Sequence, residues 1–225
     1  MKMIKKVILL LFLPLGLIAQ KTTKELGDFN EIKVYDGINV TLVKSSDNKA
    51  VITGKDIDQV AIVNNEGRLK IRMEIDNLLD GEDTNVTLYY KKELNLVDAN
   101  EKAKIASKDV LGSKYLNVRA QEGAEIDIKI NTRNLDSKAI SGGKIKLSGT
   151  TINQEVLVRT GGSYYAKKLK SQRVDVTVFA GGKAFVHSNE FVEANVTAGG
   201  TIEVYGNPKT IKKDKTLGGS IIIND

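Results

Sequence analysis

Few side chains in this sequence could do chemistry. Its 225 residues include no Cys, no Trp and a single histidine, His187. A thiol nucleophile, a disulfide framework, a cysteine-ligated zinc and an iron–sulfur cluster are therefore excluded. Any Ser-His-Asp or histidine–metal mechanism has to pass through His187. A histidine base wants an orienting carboxylate, and Glu190 is only its neighbour in sequence. Polysaccharide-cleaving enzymes can gather lysines and carboxylates in one groove, and Lys144, Lys146, Lys167, Lys183 and Asp127 are of the right types. Those lysines, however, alternate along their segments as a solubilising face does.

Two further patterns fail on their spacing. Gly142-Gly143-Lys144 is followed by Ile145 and an alternating segment, whereas a phosphate-cradling loop needs a helix and a Ser or Thr after its lysine. The acidic stretch Asp76-Asn77-Leu78-Leu79-Asp80-Gly81-Glu82-Asp83 puts Leu78 at the third and Thr87 at the twelfth position of a calcium loop, where oxygen ligands are required. It reads as a solvated loop. The residues predict no catalytic constellation, no metal site and no cofactor.

The formal charge of +6 suggests nucleic acid until its location is considered. Lys2, Lys5 and Lys6 precede an apolar run from Val7 to Ile18 with a small residue at Ala19. A basic start, a short apolar run and a small residue form a secretory signal peptide, expected over residues 1–19. The run falls short of the ~20 residues of a membrane span, and it contains Pro14 and Gly16. Without those three lysines, 31 basic side chains face 28 acidic ones, an ordinary soluble surface that predicts no nucleic-acid partner.

The remaining sequence repeats. A small-residue corner recurs as Glu122-Gly123, Ser141-Gly142-Gly143, Thr160-Gly161-Gly162, Ala180-Gly181-Gly182, Ala198-Gly199-Gly200 and Leu217-Gly218-Gly219. The first glycines stand at 123, 142, 161, 181, 199 and 218, so the spacings are 19, 19, 20, 18 and 19. A degenerate copy at Glu101-Lys102-Ala103 lies 21 residues before Glu122-Gly123-Ala124. Each period holds two alternating segments rich in Val and Ile, such as Ile145-Lys146-Leu147 and Val156-Leu157-Val158, the pattern of half-buried strands. Two strands per ~19 residues is too short for a propeller blade and fits a parallel β-solenoid whose coils bury their apolar faces on each other. Residues 29–95 are strand-like but lack the period and read as an irregular N-terminal cap, with 20–28 a short segment before the domain at 29–225.

The stretches Phe29-Asn30-Glu31-Ile32-Lys33-Val34, Gly37-Ile38-Asn39-Val40-Thr41-Leu42 and Gly67-Arg68-Leu69-Lys70-Ile71, with the later Gly-Gly corners, resemble the head GIN domain family of auto-transporter adhesins. The resemblance runs from Phe29 to the C-terminus. It implies a right-handed parallel β-helix, a bacterial envelope or secreted setting found mainly in Bacteroidota, a role in adhesion, and no catalytic residues to transfer.

In such a stack, equivalent positions form columns. With Ile145/Leu147, Tyr164/Ala166, Ala184/Val186 and Ile202/Val204 pointing inward, one outward column is Lys146, Tyr165, Phe185, Glu203 and Ile222. The next is Ser148, Lys167, His187, Tyr205 and Asn224. Tyr165, Phe185 and Tyr205, with His187 beside them, are the candidate ligand-binding residues, because exposed aromatic strips suit sugar rings and partner proteins. The bland alternative is ordinary stacking between coils. The sequence thus predicts an exported, all-β, right-handed β-helix that binds a glycan or an envelope or host protein without catalysis. The other readings are a carbohydrate-active enzyme and a structural envelope component that self-associates.

Overall fold

The computed structural model describes residues 21–74 and 81–224. The expected signal segment, and the part of the acidic stretch from Asp76 to Asp80, lie outside the described residues. Among the described residues the chain builds 19 β-strands and no α-helix. In order these are β1 (Lys21–Glu25), β2 (Glu31–Val34), β3 (Asn39–Lys44), β4 (Lys49–Gly54), β5 (Val60–Asn65), β6 (Arg68–Met73), β7 (Thr84–Tyr90) and β8 (Leu96–Ala99). The long β9 (Lys104–Ala120) and β10 (Glu125–Ile140) each run through both faces of a coil. They are followed by β11 (Lys144–Thr150), β12 (Asn153–Arg159), β13 (Ser163–Lys170), β14 (Arg173–Phe179) and β15 (Lys183–His187). β16 (Phe191–Thr197), β17 (Thr201–Tyr205), β18 (Thr210–Thr216) and β19 (Ser220–Ile223) complete the stack.

The strands form a solenoid with two faces. On one, β3, the first half of β9, the first half of β10, β11, β13, β15, β17 and β19 pair in parallel succession. On the other, β2, β8, the second halves of β9 and β10, β12, β14, β16 and β18 do the same. Alternation puts every second side chain between the faces. Ile126, Ile145, Tyr164, Ala184 and Ile202 stack as one buried column, and Leu116, Leu135, Gln154, Val174 and Val192 as its partner on the other face. Each fully buried Val or Ile contributes about 1.5–3 kcal/mol, and no coil can bury its apolar row alone.

The coil corners share one backbone geometry. Glu122 and Gly123, Ser141 and Gly142, Thr160 and Gly161, Ala180 and Gly181, and Ala198 and Gly199 all have positive φ in succession. That pair is the centre of a type I′ turn, and the closing bonds are present, as from the Ala124 N–H to the Gln121 carbonyl at 3.0 Å and from the Gly143 N–H to the Ile140 carbonyl at 2.9 Å. The left-handed region therefore falls on the residue before the first glycine as well as on that glycine. The opposite corner uses hydroxyls. Ser113, Thr132, Thr151, Ser171 and Ser188 are buried at successive bends. Each donates to a main-chain carbonyl: Tyr115 at 2.7 Å, Asn134 at 3.2 Å, Asn153 at 3.2 Å, His187, and Gln172 at 2.6 Å in turn.

The uneven spacings have local causes. In the 20-residue coil the register passes from Lys146 opposite Tyr165 to Ser148 opposite Lys168, so β13 carries one extra residue as a bulge. In the 21-residue coil, Ala106 opposite Asp127 is followed by Val110 opposite Lys129, which places two extra residues in β9.

The N-terminal half is more ordered than its missing period suggests. β2 and β3 form a regular coil stacked directly on β8 and β9. β6 and β7 form another, parallel to β2 and β3 on their other side. The coil that comes first in the chain thus lies inside one formed later. The cap consists of antiparallel additions: β5 on β6, β4 on β7, and β1 on β4. Residues 21–25, expected to precede the domain, are an edge strand of it.

Candidate binding face

The outward residues of β11, β13, β15 and β17 form the candidate site. Strand pairing aligns Lys146, Tyr165, Phe185, Glu203 and Ile222 in one column, as the alternation requires. The Tyr165 and Phe185 rings are stacked across neighbouring coils, with centroids 5.3 Å apart and planes 11° from parallel. Tyr165 is 36% exposed and Phe185 half-buried. Stacked aromatic pairs contribute about 0.5–1.5 kcal/mol beyond their buried area, so this contact also supports the fold.

The second column differs from its expected form. His187 pairs with Tyr205, but Ser148 stands opposite Lys168 rather than Lys167. The bulge turns both Lys167 and Lys168 to solvent, between the buried Ala166 and Leu169. The Lys167 ammonium reaches over β15 to the ring of Tyr205 on β17, 4.1 Å from its centroid. Lys183 lies 5.8 Å from the Tyr165 centroid. Lys168 lies outside the columns that strict alternation predicts, although two consecutive polar residues inside an alternating segment, in the one 20-residue coil, are the signature of the bulge.

Asp127, Lys146, Leu147, Ser148, Tyr165, Lys167, Lys168, Phe185 and Tyr205 together line an open groove of about 550 Å³. Three of the four aromatic-strip candidates are there, and His187 is not among the lining residues. Its Nδ1 is buried and has no hydrogen-bond partner among the described residues, and its ring lies so close to Gly206 that a Cβ there would be 2.6 Å from it. Burial lowers the His187 pKa, and Lys170 adds to the effect. Tyr205 donates to Glu203 Oε2 at 2.7 Å, and that bond, with burial, raises its phenol pKa.

The lysines of the right type for a groove with Asp127 are divided. Lys146 pairs with Asp127 at 2.5 Å and Lys144 with Glu125 at 2.6 Å. Among the described residues, neither Lys167 nor Lys168 pairs with a carboxylate, and no cluster of three metal-ligating side chains occurs. The opposite face has another character. Asp136, Glu155, Asp175 and Glu193 stack in one column on successive coils and line a groove of about 590 Å³ with Tyr115, Arg173, Phe191 and Lys212. Burial and the neighbouring Glu193 raise the Asp175 pKa.

Residues 28–208 match the family model described as "Putative auto-transporter adhesin, head GIN domain". The chain belongs to this family. The GIN fold recurs in solved structures. A "putative adhesin" from Bacteroides fragilis superposes with a TM-score of 0.83 at 17% identity, covering 91% of this chain and 96% of that one. One from Parabacteroides merdae gives 0.72 at 18%, covering 92% and 96%. A "putative lipid binding protein" from Parabacteroides distasonis gives 0.70 at 16%, also covering 92% and 96%. At these identities the likeness is one of fold. No curated protein matches the chain. No helix among the described residues is long and apolar enough to cross a membrane.

Proposed function

We propose that this GIN-family chain is an exported, non-catalytic binding protein of the bacterial envelope that holds a carbohydrate chain on the face of β11, β13, β15 and β17. The observation that carries this reading is the stacked Tyr165–Phe185 pair, with Tyr205 one coil further on, lining an open groove on a rigid sheet. Aromatic faces offer flat, apolar, weakly negative surfaces to the C–H faces of sugar rings. Rings held by strand pairing lose little freedom on binding, which favours affinity. The family's description as an adhesin head agrees with a binding role, and the basic, apolar start of the chain agrees with export.

The test incubates residues 20–225 with a panel of polysaccharides. Retention on the polymer and release of new chain ends are scored in the same samples. Retention without new ends is expected. Tyr165→Ala with Phe185→Ala should abolish retention while the far-ultraviolet circular dichroism and a cooperative melt persist. Release of chain ends would overturn the non-catalytic reading, and undiminished retention by the double variant would overturn the location.

A further inference from the structure

The groove carries more positive charge than an aromatic platform for a neutral sugar needs. Two of its cations, Lys167 and Lys168, are outward together only because β13 bulges between Lys146 and Ser148. Regular alternation would have buried one of them. Lys146 has its partner in Asp127 at 2.5 Å, whereas Lys167 is directed onto the groove's own Tyr205 ring at 4.1 Å. Lys183 flanks Tyr165 from the side of the corner. The rings are therefore bordered by the ammonium groups of Lys167 and Lys183, neither of which forms an ion pair among the described residues, while the nearby Glu203 carboxylate is engaged by the Tyr205 hydroxyl. The opposite face sets the column Asp136, Glu155, Asp175 and Glu193 among Lys138, Arg173 and Lys212, so its charges are mixed in sign. The charge distribution steers a polyanion to one face of the solenoid.

We infer that the ligand is an acidic polysaccharide, its sugar rings on Tyr165, Phe185 and Tyr205 and its anionic groups at Lys167, Lys168 and Lys183; this rests on the carbohydrate reading of the same face. Lys167 and Lys168 lie on β13 and Lys183 on β15, one coil of about 4.8 Å further along the stack, so the lysines of neighbouring coils meet anions repeated along a polymer. The shared chemistry is a carboxylate or sulfate on each repeating unit. Lysine suits it as a mobile point charge on a flexible stem.

The experiment measures binding of residues 20–225 to polygalacturonate, alginate and hyaluronate, each paired with its carboxyl-reduced, neutral derivative. Dextran sulfate serves as a sulfated probe. At least one acidic polymer should bind tenfold or more tightly than its reduced form, with affinity falling as salt is raised. Lys167→Gln with Lys168→Gln should lower that affinity about tenfold and flatten the salt dependence, while Glu155→Gln with Asp175→Asn should not weaken it. Binding of dextran sulfate in place of the carboxylated polymers, if lost in Tyr165→Ala, would assign the anion as sulfate. Equal binding of acidic and reduced polymers would overturn the inference and leave the carbohydrate reading standing. Binding of none of the polymers would overturn both. Acidic-polymer binding indifferent to Tyr165→Ala would reduce the effect to general charge attraction and overturn the inference.

Discussion

Gly143 lies against Ala120 of the preceding coil so closely that a Cβ on it would stand 2.1 Å from the Ala120 carbonyl oxygen. Its neighbour Gly142 has nothing within 4 Å of such an atom, but its φ is +76°. The paired glycines thus answer different demands, one of space and one of backbone conformation. Gly142→Ala should cost about 1–2 kcal/mol, the strain of a left-handed alanine. Gly143→Ala should cost about 3 kcal/mol or more, because the obstructing atom is main chain and the coils have to separate. Urea melts of the two variants compare the costs directly, and equal losses would contradict the assignment.

Thr160 holds φ at +50° in its corner, a conformation that β-branched residues resist and asparagine tolerates. Followed by Gly161, an asparagine would complete the preferred type I′ pair. Thr160→Asn should stabilise the fold by about 1 kcal/mol, seen as a melting temperature raised by roughly 2–4 °C. A lowered midpoint would count against the turn assignment.

The buried Tyr164 hydroxyl donates to Gln154 Oε1 at 3.0 Å, and Gln154 Nε2 donates to Ser171 Oγ at 2.7 Å. Burial raises the Tyr164 pKa far above the ordinary phenol range, so the hydroxyl is a donor at every physiological pH. Tyr164→Phe should cost about 1–2 kcal/mol, since an amide oxygen is left unpaired in the core. Combined with Gln154→Leu, the loss should be less than the sum of the single changes. Additive losses would show that the two groups are uncoupled.

Glu101 and Asp36 occupy stacked corners, joined by a bond from the Gly37 N–H to the Glu101 carbonyl at 2.8 Å. Burial raises the Glu101 pKa, and its side-chain hydrogen bond to Asp36 raises it further. A carboxyl raised in the folded state contributes stability below its unfolded pKa and loses it as pH rises through the folded one. Glu101→Gln supplies a donor to Asp36 without a proton, so it should stabilise the protein at pH 7 by on the order of 1 kcal/mol. It should do so little at pH 4. Melts at the two pH values check this, and a variant less stable at pH 7 would refute it.

Much of the solenoid was readable because its physics is local and periodic. The Gly-Gly corners marked the turns, and alternation placed Ile145, Ala184 and Ile202 inside. The same alternation set Tyr165 beside Phe185 in one outward column. The spacing of 20 residues also held a bulge, although only the strand pairing located it at Lys167. The hydroxyls at Ser113, Thr132, Thr151 and Ser171 share the period and could have been read as a second corner. His187 entered the aromatic strip by counting, but register alone does not decide which side chains line a groove.

By itself, then, the sequence determined the coil, its length, its corners and its buried rows, since each follows from side-chain alternation and backbone sterics within some twenty residues. Tertiary structure alone decided which coil lies on which. The β6–β7 coil stacks outside β2–β3 because parallel pairing matches edges irrespective of chain order. It also decided that Lys167 spans to Tyr205 and that the carboxylate column lies on the opposite face from Lys167 and Lys168. Those relations join residues that are distant in the chain, and only the packed stack brings them within reach.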